Sequence, residues 1–152
     1  MSWLVRSKFK IMFSFISALG VPCNSTCLLM SATKQILAFD FDSDADAYSL
    51  ISNLTETSAI DIYFNLGYMF WSDATEQNIK RSYVNGTNIR IIINNTGTCD
   101  GLAVEWNALQ LYWTDAANDT ISVSDLDGNN QRIIISSGLD QPSGIVLDPN
   151  LE

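Results

Sequence analysis

Few residues in this chain of 152 have the types and spacing to do chemistry. There is no histidine. That excludes a Ser-His-Asp or Cys-His arrangement within the chain, an imidazole metal ligand and a histidine pH switch. Cys23 and Cys27 stand four apart, and Cys99 is far downstream. This is neither the redox Cys-x2-Cys nor a zinc quartet. A tight Cys23–Cys27 disulfide and pairing with a segment beyond Glu152 both stay open. Asp40, Asp42, Asp44 and Asp46 alternate like the head of a calcium loop. Such a loop wants Gly at its sixth place and Glu at its twelfth, where Ala45 and Ile51 stand. A solvated acidic hairpin turn is the better reading, and neither a metal nor a cofactor is expected. One further chemistry is sugar attachment: Asn24, Asn53, Asn85, Asn94 and Asn118 each open an Asn-x-Ser/Thr tripeptide.

Bulk composition narrows the classes further. The chain is 47% hydrophobic and 16% charged, as globular domains are, and its formal charge is −9. A nucleic-acid binder needs clustered Lys and Arg to displace counterions, so no nucleic-acid partner is expected. Arg6, Lys8 and Lys10 are three of the eight bases, and no acid precedes Asp40. An apolar run, 11–21, follows them, with Ala18 and Gly20 at the spacing a signal peptidase reads. Residues 1–20 are therefore expected to be a secretory signal. The apolar run is too short for a span, which needs about 20 apolar residues. Cleavage there leaves five bases against seventeen acids, a mature charge of −12. Residues 21–27 would be a short leader.

The elements that must carry these residues show in an internal echo. Phe70-Trp71-Ser72-Asp73 recurs 42 residues later as Tyr112-Trp113-Thr114-Asp115. At the same offset Ile79 matches Ile121, Gly86 matches Gly128, Arg90 matches Arg132, and the three isoleucines 91–93 match 133–135. A repeat of this period indicates a propeller, solenoid or array. Within the unit, apolar residues alternate at strand spacing over 59–64, 68–72, 79–84 and 88–93. Asn85-Gly86 is a hairpin signal, since both residues tolerate positive φ. The second unit repeats these strands at 102–106, 110–114, 120–126 and 130–136. A third opens at 143–148. Upstream, 27–41 reads as strand material and 48–51 as an outer strand, so the chain enters partway through a first unit. Four short antiparallel strands per unit make a propeller blade. The blades run 28–57, 58–100 and 101–142, with the next starting at 143–152. The fold class is all-β: an incomplete β-propeller of about two and a half four-stranded blades, a piece of a longer chain.

The repeated residues read as scaffold. Trp71 and Trp113 can fill the wedge between neighbouring sheets. Asp73 and Asp115 end their strands, where a carboxylate can accept backbone N–H bonds from a neighbouring blade. Gly101 and Gly144 open innermost strands, where space near the axis is tight.

Phe-Trp-Ser-Asp and Tyr-Trp-Thr-Asp, each followed by Asn-Gly or Asp-Gly, with Asp100-Gly101-Leu102-Ala103-Val104 ahead of the second, resemble the YWTD repeats of the low-density lipoprotein receptor family. The resemblance covers residues 28–152 and implies a six-bladed propeller. Leu54-Thr55-Glu56-Thr57-Ser58-Ala59-Ile60-Asp61 and Ile79-Lys80-Arg81 resemble the first propeller of the Wnt co-receptors, the low-density lipoprotein receptor-related proteins five and six. That branch implies an ectodomain on the extracellular face of the plasma membrane. It would be reached through the secretory pathway and held by a span outside these residues. Its partners would be extracellular protein ligands: Wnt-type ligands, their antagonists or other basic ligands. The resemblance implies binding through the face formed by the loops after second strands and between blades. The matching positions are Thr33, Glu56, Ala74, Thr75, Gln77, Thr98 and Asp100. Thr33 replaces an expected base, Gln77 an expected acid, and Cys99 an expected Pro. An endocytic lipoprotein-type receptor and a nidogen-like matrix protein share the propeller and are the alternatives. An enzyme is not expected. Six-bladed hydrolases ring an axial metal with Glu, Asn and Asp, whereas the innermost strands here carry only scattered acids such as Asp61 and Glu105.

Overall fold

The computed structural model describes residues 10–15, 26–40 and 46–148. They form three four-stranded antiparallel sheets. The first is β1 (Lys10–Phe15), β2 (Thr26–Ala32), β3 (Gln35–Asp40) and β4 (Tyr48–Ile51). The second is β5 (Thr57–Tyr63), β6 (Tyr68–Asp73), β7 (Asn78–Tyr83) and β8 (Arg90–Asn94). The third is β9 (Leu102–Glu105), β10 (Gln110–Asp115), β11 (Thr120–Asp125) and β12 (Arg132–Ile135). In each sheet chain order is spatial order, an up-and-down meander that short local turns can close. This is the partial β-propeller that the repeat implies.

Burial explains why the central strands read as nearly continuous apolar runs. β6 is buried at every position but its first, because a blade is covered on both faces. One core lies between the first two sheets, where Leu29, Ile36 and Ile51 meet Ile62, Met69 and Trp71. The other lies between the second and third, where Phe70, Ile79 and Ile93 meet Leu102, Leu111 and Trp113. Trp71 is completely buried and Trp113 is 5% exposed. Removing about 200 Å² of each ring from water is worth at most about 5 kcal/mol.

The turns differ in detail from expectation. Asn85-Gly86 is not a two-residue turn. The Gly86 N–H bonds the Tyr83 carbonyl at 2.9 Å, and the Tyr83 N–H reaches Thr87 at 2.9 Å. Only Gly86 of the pair takes positive φ, at 81°. This is a three-residue loop ending in a left-handed glycine. Asn85 shapes it by accepting from the Thr87 N–H and hydroxyl through Oδ1. The glycine has a second duty that its own hairpin does not reveal. A Cβ on Gly86 would stand 2.5 Å from the Leu50 carbonyl oxygen, and one on Gly128 2.0 Å from that of Ile92. Each outer turn thus rests on the outer strand of the preceding sheet.

Three further features depart from the sequence reading. In the full chain the first sheet is four-stranded: β1, inside the segment read as a signal, pairs with β2 from Lys10↔Ser31 to Phe15↔Thr26. Residues 143–148 form no strand, since no second strand of their unit lies among the described residues to pair with them. Gly144 accordingly has open space around it, while Gly101 is hemmed in by the Ser143 carbonyl and Thr114. Asp42, Asp44 and Asn24 lie outside the described residues.

Gly128→Ala is expected to destabilise the chain by more than about 1–2 kcal/mol, because left-handed backbone and close approach act together. Gly144→Ala should be near neutral. Urea unfolding of the two variants beside the parent checks the difference.

Candidate functional site

The loops after the second strands and the links between sheets meet on one face, held by backbone bonds that repeat with the units. The Ala74 N–H bonds the Glu56 carbonyl at 2.9 Å, and the Ala116 N–H bonds that of Thr98 at 2.9 Å. Thr96 bonds Gln77 at 3.0 Å, and its counterpart Leu54 bonds Lys34 at 2.9 Å. Thr57 bonds the Thr33 carbonyl at 2.8 Å. The Thr75 hydroxyl donates to Glu56 Oε2 at 3.2 Å. Glu56, Ala74 and Thr75 therefore form one unit. Gln77, exposed and at a φ of 52°, ends the same loop and pairs with Thr96 of the link that follows. Thr98 belongs to the corresponding place one sheet on. Asp100 turns inward and accepts from the Ser58 hydroxyl, which ties the second sheet to the link ahead of the third.

Beneath this face the motif carboxylates are anchored. Asp73 accepts from the Thr55 hydroxyl, from the Glu76 N–H at 3.0 Å and from Lys80 Nζ at 3.2 Å. Lys80 also meets Glu76 at 2.7 Å. Asp115 accepts from the N–H groups of Ala117 at 2.9 Å and Asn118 at 3.1 Å, and from Asn118 Nδ2 at 2.6 Å. The expectation that these carboxylates bind backbone N–H groups of a neighbouring blade is corrected. Their backbone donors lie in their own loop, because a carboxylate at a strand end captures the N–H groups two and three residues on.

The tie between sheets is the residue before each Asp. The Ser72 hydroxyl accepts from the Ala59 N–H at 2.9 Å and donates to the Cys99 carbonyl at 2.8 Å. Thr114 donates to the Ser143 carbonyl at 2.7 Å. Asp61 adds a clasp near the axis, accepting from the Val104 N–H at 2.7 Å. Glu105 accepts from the Asn107 N–H at 3.1 Å and the Ala108 N–H in its own turn. On the opposite side Arg81 reaches from β7 to the Leu126 carbonyl at 2.9 Å and Asp127 at 2.6 Å, and stacks 4.3 Å over Tyr68. The sequence reading passed over Ser72, Thr114, Glu76 and Arg81. The hydroxyl recurring at one repeat position was the available signal for the first two.

Electrostatics follow from these contacts. Burial alone would raise Asp73. Hydrogen bonds from Thr55, the Glu76 N–H and Lys80 outweigh it and hold the carboxyl below its ordinary 3.8. Burial would lower Lys80, but Glu76 and Asp73 together keep it above 10.5. Contact with Lys80 and Asn78 holds Glu76 below 4.5. Among the described residues no group of three His, Cys, Asp or Glu is placed to hold a metal. Asn53, Asn85, Asn94 and Asn118 are all exposed. The Asn118 amide nitrogen that a sugar would occupy is bonded to Asp115.

Fold and site define a propeller piece whose loops share one face. Residues 110–149 match the family model described as low-density lipoprotein receptor repeat class B. Among solved structures, a chain of a nidogen/laminin complex is similar with a TM-score of 0.72 at 23% identity, over 81% of this chain and 48% of that one. Auxiliary nutrient binding proteins from Bacteroides thetaiotaomicron and Bacteroides ovatus each give a TM-score of 0.67, at 13% and 16% identity. Each match covers 81% of this chain and 31% of theirs. The chain thus spans half or less of the length of these structures. No curated protein matches it.

The ion network sets a pH window. Asp73 and Glu76 have lowered folded values, so their contribution is complete above their ordinary 3.8 and 4.5 and is lost as pH falls through the folded values. Lys80 is raised, so its contribution is complete below 10.5 and is lost as pH rises through the folded value. Lys80→Met leaves the Asp73 charge buried without its cation. It is expected to cost about 3 kcal/mol at pH 7 and to flatten the acid limb, as urea unfolding across pH would show.

Proposed function

We propose that this chain is part of an extracellular protein-interaction propeller of a cell-surface receptor related to the low-density lipoprotein receptor, acting as a Wnt co-receptor. The observation that carries the interaction reading is the continuous loop face at Glu56, Ala74 and Thr75. Thr75, Glu76 and Gln77 are exposed there, on a rigid scaffold. Loops on rigid supports are where binding residues concentrate. The acidic balance favours basic protein ligands by steering their approach. The match over residues 110–149 supports the receptor family. The likeness of 54–61 to the first propeller of the co-receptors supports the branch. A second reading, a nidogen-like matrix role, is supported by the solved structure of the nidogen/laminin complex.

Binding of the secreted protein to a Wnt-type ligand, a Wnt antagonist and laminin, measured by biolayer interferometry, separates these readings. The co-receptor reading expects the first two to bind, and Glu56→Lys with Thr75→Lys to weaken them by at least about tenfold, or 1.4 kcal/mol. Laminin binding without the others would move the assignment to the matrix role. Absence of all three would remove both.

The export signal is part of the same proposal. Lys10–Phe15 can serve as β1 or as part of the apolar core of a signal, because both need only a short apolar run. The secreted protein is expected to begin at Val21, leaving β2 as an edge. Mass spectrometry of the mature N-terminus checks this, and a chain retaining residues 10–15 would assign them to the sheet instead.

A further inference from the structure

The repeat makes the second sheet a template for the third, and one cluster departs from it. In the second sheet Lys80 lies across the strand pair from Trp71, in the wedge facing the first sheet. Its ammonium meets Asp73 at 3.2 Å and Glu76 at 2.7 Å. In the third sheet Trp113 and Asp115 stand in the same register, but the residue opposite Trp113 is Ser122. At the 42-residue offset Thr55 becomes Gly97 and Glu76 becomes Asn118. Two of the side-chain partners that hold the first carboxylate, and the acid that shares its lysine, are gone together.

What remains is a cavity of about 430 Å³ in the wedge between the second and third sheets, its walls including Trp113, Asp115, Asn118, Ser122, Ile93 and Asn94. Asp115 is 6% exposed. Among the described residues its donors are all neutral: two backbone N–H groups and the Asn118 amide. A buried carboxylate held only by neutral donors, beside a cavity where the preceding repeat places an ammonium, is a vacant half of an ion pair.

We infer that this cavity is a binding site for a primary alkylammonium, brought in by a lysine side chain of a protein partner. Trp113 and Ile93 offer apolar wall to the methylene stem, as lysine stems prefer. Asp115, Asn118 Oδ1 and Ser122 Oγ offer acceptors for the three ammonium hydrogens. A guanidinium is a poorer fit, because its rigid fork wants two unoccupied oxygens of one carboxylate, and both Asp115 oxygens already accept bonds. Arg132 also lines the cavity and is exposed. Its charge opposes the ligand, so Arg132→Ala should tighten binding. The partner half of this inference rests on the protein-interaction reading above; the ammonium site does not, and the small-molecule arm tests it alone.

The experiment titrates n-butylammonium, n-butanol and Nα-acetyl-lysine methylamide into the full chain and follows binding by ligand-observed NMR. Both amines are expected to bind saturably and butanol not to. Ser122→Lys supplies the missing ammonium from within, and should weaken both amines by at least about tenfold while raising Tm. Asp115→Asn should abolish binding; because that variant can lose its fold, Ser122→Lys carries the comparison. No amine binding, equal binding of butanol, or binding undiminished in Ser122→Lys overturns the site. Binding of butylammonium without the lysine derivative overturns the protein-partner half and leaves a free-amine site.

Discussion

A four-stranded sheet that is apolar on both faces needs a neighbour on each side, and the tryptophan of its second strand sets how that neighbour sits. Trp71 lies wholly buried against the first sheet and Trp113 almost so against the second. Neither sheet could place these rings in isolation. The wedge must therefore be filled and closed from both sides. The close approach of Gly86 to Leu50 and of Gly128 to Ile92 closes its outer end. The hydroxyls of Ser72 and Thr114 reach into the segment that follows their own sheet. Asp61 pins the inner strand of the next. Each contact crosses from one unit to another, so the stability of a blade belongs to the pair.

Much of this is legible in the sequence. Strand alternation, the 42-residue offset and the glycines of the outer turns identify four strands per unit, and the structure places β5 to β12 within a few residues of those expectations. Periodicity reads faces well because burial dictates it. What stayed hidden were interactions whose meaning depends on a second unit. Gly86 looks like a hairpin residue in its own strand pair, and its contact with Leu50 appears only when the first sheet is present. Asp73 and Asp115 end their strands, where a carboxylate can accept backbone N–H bonds from a neighbouring blade. The nearer N–H groups of their own loops are reached first.

The candidate face was legible in position and less so in chemistry. The resemblance placed Glu56, Ala74 and Thr75 in one region, and backbone pairing joins them. It also placed Asp100 there, but that carboxylate accepts from Ser58 within the structure. Asp100 is only half-buried, so its carboxylate can give the buried Ser58 hydroxyl a partner while keeping part of its own hydration, and the balance favours that charge-assisted bond. Sequence cannot weigh that balance, because Ser58 and Asp100 are 42 residues apart and become neighbours only through the repeat.

That repeat also shows how a scaffold becomes specific. Positions that close the wedge keep their residue types from one unit to the next: Trp71 and Trp113, Asp73 and Asp115, Gly86 and Gly128. Positions that only neutralise or fill are free to differ once another arrangement holds the carboxylate. To its backbone donor Asp73 adds a hydroxyl and a lysine; to its own, Asp115 adds only the Asn118 amide. Both solutions keep the strand end in place, so folding alone does not choose between them. They differ in what they present outward. One seals its wedge with an internal cation, while the other leaves a buried negative charge beside open space. In a fold built of repeats, function is best sought where two units solve the same structural problem with different side chains.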